Sequence, residues 1–244
     1  LILPVPTFEM IPRFGALAGG ESVPIPWVAG PLPVDTILET ASDRVAMVAV
    51  VSPNSPTGLV ATANDVARLS RTLPGALILV DLAYVEFADE DPTDVVLDLP
   101  NVVVLRTLSK ARVGYAMGPA PVLEWMRGVG LPYAVSGPSL VLARDRLAHG
   151  EADKERFVAA VRGQRDRLSA RLRELGAEVT PSQGNFLLAT FDDATWVRDA
   201  LAGLGIAVRL FPDHPELHNR LRITVPGEDQ ASGREARDSS SSSN

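Results

Sequence analysis

The sequence contains no cysteine, which excludes disulfides, thiolate catalysis and cysteine-ligated metal centres. It also lacks an excess of basic charge. With a net charge of −7 and a pI near 5.0, no broad cationic surface is available for nucleic acid or an anionic membrane. The longest uncharged stretch, residues 45–64, carries Pro53 and Pro56 among polar residues and does not read as a membrane span. The opening Leu1-Ile2-Leu3-Pro4-Val5-Pro6 has neither the basic start nor the apolar run of a secretory signal, so a cytoplasmic protein is expected. There is no internal repeat, no GxGxxG loop and no Walker A loop. Residues 227–244 hold no large apolar side chain and finish in a serine run, so a disordered tail is expected there.

What remains is ordinary globular material: 244 residues, 26.0 kDa, 46% hydrophobic and 22% charged. That suffices for one large domain or two small ones. Apolar runs of strand length recur at 45–51, 76–80, 102–105, 113–117, 186–189, 206–210 and 221–225. A helix is predicted over 62–72, where Val66 and Leu69 are spaced by three and Thr62 or Asn64 can cap the start. The clearest helix is predicted over 151–175. Phe157, Val161, Leu168, Leu172 and Leu175 form its apolar face, Lys154, Arg162, Arg165 and Arg173 its solvated face, and Gly176 its stop. Strands alternating with helices imply an α/β layered fold with a largely parallel sheet. The long helix opens a second, smaller α/β unit. The expected organisation is 1–148, 149–226 and a tail over 227–244.

Parallel sheets place ligands at the carboxyl ends of their strands. After 45–51 comes the rigid turn Ser52-Pro53-Asn54-Ser55-Pro56-Thr57-Gly58. After 76–80 comes Asp81, with Tyr84 three residues on, and after 102–105 comes Arg106-Thr107-Leu108-Ser109-Lys110. A carboxylate at a buried strand end needs a cation or a hydrogen-bond donor. A lysine there has a depressible pKa and can form a Schiff base. Together they suit a pyridoxal phosphate site, in which a lysine holds the aldehyde and an acid pairs with the pyridinium nitrogen.

The ordered motifs PNxPTG, VDxAYxEF, LRTLSKA, RVGYA, PSQxNF and LRITV resemble those of the class I/II, fold-type I aminotransferases, and most of all histidinol-phosphate aminotransferases. The likeness runs from residue 1 to about 226. It implies a three-layer large domain of the pyridoxal-phosphate transferase type, with a mostly parallel sheet, and a smaller C-terminal α/β domain. Against the family pattern, an N-terminal part, a loop after the lysine and a final helix are expected to be missing.

The resemblance also implies roles. Lys110 matches the Schiff-base lysine that shuttles the proton, Asp81 the partner of the pyridine nitrogen, and Tyr84 the donor to the cofactor's 3′-oxygen. Ser109 and Arg112 match phosphate-binding positions, and Phe8 the ring-stacking aromatic. Ser55 stands where the family has an asparagine on the 3′-oxygen, with Asn54 beside it. Arg222 matches the grip on the substrate α-carboxylate, and Asn185 lies in the segment beside the active site.

Each residue has a plainer alternative: Lys110 a solvated loop lysine, Asp81 a helix cap, Tyr84 and Phe8 core, Ser109 a turn residue, Arg222 a surface arginine. His214 and His218 are four apart, but Pro215 disfavours a helix there and no third ligand is evident, so no metal is expected. The expected activity is transamination between a glutamate-like donor and a 2-oxo acid or histidinol-phosphate-type acceptor, in a homodimer. The alternatives are a non-catalytic or truncated remnant of the fold, or a related decarboxylase using the same cofactor.

Overall fold

The computed structural model describes residues 1–108, 113–131 and 134–227. Six strands form one sheet in the order β2-β1-β3-β4-β5-β6. They are β1 (Ile2–Val5), β2 (Val23–Pro26), β3 (Met47–Val51), β4 (Leu77–Asp81), β5 (Val102–Leu108) and β6 (Val113–Met117). The first five run parallel, and β6 is antiparallel to β5, with Val113 opposite Leu108. The central strands are buried on both faces, which is why 47–51 and 102–104 read as unbroken apolar runs rather than as alternating ones.

Helices α1 (Met10–Leu17), α2 (Val34–Thr40), α3 (Ala63–Thr72) and α4 (Thr93–Leu97) connect these strands, and α5 (Ala120–Val129) and α6 (Gly137–His149) follow them. The N-terminus of α3 is closed by a reciprocal pair. The Thr62 hydroxyl accepts from the Asp65 amide at 3.1 Å, and the Asp65 carboxylate accepts from the Thr62 amide at 2.8 Å. Of the two expected caps, Thr62 and Asn64, Thr62 is the observed one. Ile2, Trp27, Ile37, Leu69, Ile78 and Leu82 form the largest side chains of the core around this sheet.

Helix α7 (Glu151–Glu174) leads into a four-stranded sheet in the order β7-β8-β10-β9: β7 (Glu178–Val179), β8 (Phe186–Thr190), β9 (Arg209–Leu210) and β10 (Arg220–Thr224). Its pairings are antiparallel, and α8 (Ala194–Gly203) lies between β8 and β9. Gly176, at φ 89°, takes the left-handed conformation that ends α7, as its position predicts.

Two sequence expectations change. The strand predicted over 206–210 shrinks to two residues, because the Ile206 amide is spent on the Leu201 carbonyl at 2.8 Å in closing α8. The solvated face predicted for α7 is not solvated throughout: Arg165 is only 7% exposed. Among the described residues no helix is long and apolar enough to cross a membrane. Residues 228–244 of the expected tail lie outside the described residues.

Candidate active site

The site begins with sheet order. β1 has β2 on one side and β3 on the other, so the connections leaving β1 and β3 diverge and open a crevice at their carboxyl ends. An open cleft occupies this place. Thr7 and Phe8 line it after β1, Ser55 and Pro56 after β3, and Tyr84 after β4. Arg209, Phe211, His214 and Arg222 line it from the four-stranded sheet and its connections.

Asn54 builds the first wall from within. Its amide nitrogen donates to the Pro6 carbonyl at 2.8 Å and to the Thr57 hydroxyl at 2.9 Å. Its side-chain oxygen accepts from the Thr7 hydroxyl at 2.7 Å. Asn54, expected as a cofactor contact, is therefore fully buried and committed to locking the turn after β3 onto the turn after β1. Gly58 completes that turn at φ 78°, and a Cβ there would collide with Ser182. Its carbonyl accepts from the Gln183 amide at 2.9 Å, which brings the 181–186 segment alongside.

Asp81 ends β4 between β3 and β5. Its carboxylate accepts from the Ala83 amide at 3.0 Å, an Asx-type turn that launches the chain toward Tyr84. Burial pushes its pKa above the ordinary carboxylate value against that bond. Among the described residues no cation pairs with it. Tyr84 precedes the 3-10 turn Val85–Phe87 and meets Phe186 edge-on, with ring centres 5.2 Å apart.

Arg222 reaches the same cleft from β10. Its Nη1 donates to the Ser55 hydroxyl at 2.8 Å, and its guanidinium lies 5.5 Å from the centre of the Phe186 ring. Burial pulls its pKa down, Tyr84 and Glu9 oppose this, and neighbouring Arg209 reinforces it. No carboxylate among the described residues pairs with it. A partly buried cation held by one neutral hydroxyl and one ring is set to receive an anion.

Sequence reasoning missed Glu9, Arg209 and Phe211, and took His214 only as a poor metal ligand. Arg209 pairs with Glu9 at 3.1 Å and lies 5.3 Å from the Phe211 ring centre, while His214 sits edge-on to Phe211. The Arg209 hydrogen bond and charge hold the Glu9 carboxyl below its ordinary range. The missing signal was register. Arg209 and Arg222 stand opposite each other on antiparallel strands, a like-charge pair that is unfavourable by itself. Among the described residues no group of three or more metal-binding side chains occurs.

Comparison with known proteins agrees with this geometry. The family model described as aminotransferase class I and II matches residues 1–239. The chain belongs to that family. A histidinol-phosphate aminotransferase of Shewanella amazonensis is 37% identical over 75% of this chain and 54% of its own length. The corresponding protein of Thermoanaerobacter pseudethanolicus is 35% identical over 91% of this chain and 65% of its own. The chain thus spans about 54–65% of the length of these curated relatives. A histidinol-phosphate aminotransferase from Sinorhizobium meliloti, solved in complex with pyridoxal-5′-phosphate, shares the fold at a TM-score of 0.84 and 22% identity, covering 93% of this chain and 66% of that one.

Within this chain, Phe8, Ser55, Tyr84 and Arg222 are brought to one cleft, with Asp81 at the adjoining strand end. The Ser55 hydroxyl faces Arg222 and accepts its hydrogen bond. Asn185 contributes its carbonyl to the Val225 amide at 2.8 Å and is not part of the cleft lining. Ser109, Lys110 and Arg112 lie outside the described residues.

Proposed function

We propose that this chain carries the active-site apparatus of a pyridoxal 5′-phosphate-dependent aminotransferase. It transfers an amino group between a glutamate-like donor and a 2-oxo acid or histidinol-phosphate-type acceptor. The observation that carries the reading is Arg222, a partly buried cation without a carboxylate partner among the described residues, in a cleft at the sheet's switch point.

The residues present fit the cofactor. Asp81 is a desolvated carboxylate with no cation partner among the described residues, and a protonated ring nitrogen would supply one. Tyr84 offers a phenolic donor to a ring oxygen, and Phe8 an aromatic face. Ser109 and Arg112 are assigned to the phosphate, and Lys110 to the covalent anchor. When bound, the cofactor supplies an electron sink for the bond-breaking at the substrate's Cα. Asp81 keeps the ring nitrogen protonated. Lys110 Nζ takes and returns the proton at Cα. Arg222 orients the substrate by its α-carboxylate. Arg209 offers a second cation to a distal carboxylate or phosphate, in competition with Glu9.

The two sheets support a division into a cofactor-binding unit, 1–148, and a smaller unit, 149–226. Exposed Trp125, Val129 and Leu131 after β6, with Val141 and Leu147 on α6, support association of two copies. The reaction is assigned to the cytoplasm. The test is a titration with pyridoxal 5′-phosphate, alongside Lys110→Ala. A visible absorbance band that borohydride makes permanent, and that the variant lacks, supports the reading. No band at large cofactor excess would sink it.

A further inference from the structure

Among the described residues, one buried charged side chain is not used by the chemistry of the cleft. Arg165 lies midway along α7, and its Nη1 donates to the carbonyl oxygens of Phe87 and Gly184, each at 3.3 Å. Phe87 closes the turn that begins at Tyr84, and Gly184 stands two residues before Phe186. The two carbonyls therefore belong to two segments that meet beside the cleft: one carries Tyr84, which lines it, and the other leads to the buried Phe186, whose ring touches Tyr84 and faces the Arg222 guanidinium.

Packing alone does not explain a cation here. The carboxylate beside it, Asp166, is 3.6 Å from Nε and largely exposed, so solvent screens the pair. A buried charge is costly, and an apolar residue of similar size is commonly as good or better where only volume is needed. What an apolar residue does not supply is a fork of donors to two carbonyls. Neighbouring contacts run the same way. Arg162 donates to the Ala88 carbonyl, and the Asp89 amide donates to the Gln183 side chain at 2.7 Å. Phe87 itself packs against the cluster of Val161, Leu187 and Val225.

We infer that Arg165 is a positioning residue, which holds the Tyr84 segment against the segment that carries Phe186 and thereby sets the carboxylate site at Arg222 without touching its ligand. The ligand-binding part rests on the proposed function. The coupling itself does not.

The test is amide hydrogen exchange of the full chain, for wild type, Arg165→Met and Arg165→Lys. The inference requires exchange in 84–89 and in 183–187 to rise together about tenfold in the Met variant, relative to α3, and to return toward wild type with Lys. A change confined to α7, or a uniform rise that includes α3 and β3, overturns it. If the Met variant does not fold, Arg165→Gln carries the same comparison. A second reading uses maleate as the carboxylate probe, with pyridoxal 5′-phosphate present. The Met variant is to bind maleate about tenfold more weakly while its cofactor affinity stays within twofold. Faster exchange with unchanged maleate affinity contradicts the claim that Arg165 sets the site. If wild type binds no maleate, the proposed function falls, and the exchange result alone decides the coupling.

Discussion

Two inward-facing arginines, Arg106 and Arg222, show how the same side chain is put to opposite uses. Arg106 leaves β5 toward the turn after β4. It pairs with Glu86 at 2.7 Å and Asp91 at 2.8 Å, and donates to the Thr93 hydroxyl at 3.1 Å. Burial pulls its pKa down, yet Glu86 and Asp91 outweigh that and hold it above the ordinary value. Arg222 has a hydroxyl and an aromatic ring, and its pKa falls. Both leave a buried Nε without a partner, so an orphaned nitrogen does not separate them. The carboxylates do. Arg106 is a closed electrostatic unit that braces structure, whereas Arg222 has no carboxylate partner among the described residues, which is the condition of a binding site.

The contrast is sharpened by substitution. Replacing Arg222 by Met is expected to raise the KM for glutamate about a hundredfold, since charged hydrogen bonds are worth roughly 1.5–3 kcal/mol each. Cofactor affinity should change little, and steady-state kinetics beside a cofactor titration read the two separately. Arg106→Met should do the reverse. It leaves Glu86 and Asp91 without their cation and is expected to cost about 2 kcal/mol of stability, measured by urea unfolding, with carboxylate affinity unchanged.

Asp81 offers a third case, since its folded pKa is raised by burial. Such a group favours the folded state below its unfolded pKa, and that contribution is lost as pH rises through the folded pKa. Asp81→Asn should therefore melt above wild type at pH 8, with the gap closing on acidification, while losing cofactor affinity. A melting series across pH checks it, and an Asn variant no more stable at pH 8 contradicts it. The smallest effect is expected at Ser55. Removing its hydroxyl in Ser55→Ala frees Arg222 from its neutral anchor and should weaken carboxylate binding a few-fold, in the same kinetic assay.

Much of this was legible before the fold was seen, and the limits have physical reasons. The strand ends expected after 51 and 80 fall at 51 and 81, because buried parallel strands print as apolar runs, and their ends as abrupt polar motifs. The cap of α3 was legible because Thr62 and Asp65 are three apart and local. Arg209 was hidden because its meaning depends on lying opposite Arg222 across two strands, which no local spacing encodes. The bonds of Asn54 were hidden for a related reason: its motif located the cleft, but only the turn geometry shows its amide turned inward to Pro6 and Thr57. Arg165 was placed on the solvated face because helical periodicity reports which residues share a side, and not which backbone carbonyls wait there.

The central claim is that Arg222, and not Arg106, is the cation this chain holds open for a carboxylate. The most direct measurement is calorimetric titration of maleate, with pyridoxal 5′-phosphate present, into wild type, Arg222→Met and Arg106→Met. The account predicts binding that weakens about a hundredfold in the first variant and stays within a few-fold of wild type in the second. Equal affinity in wild type and Arg222→Met would contradict it.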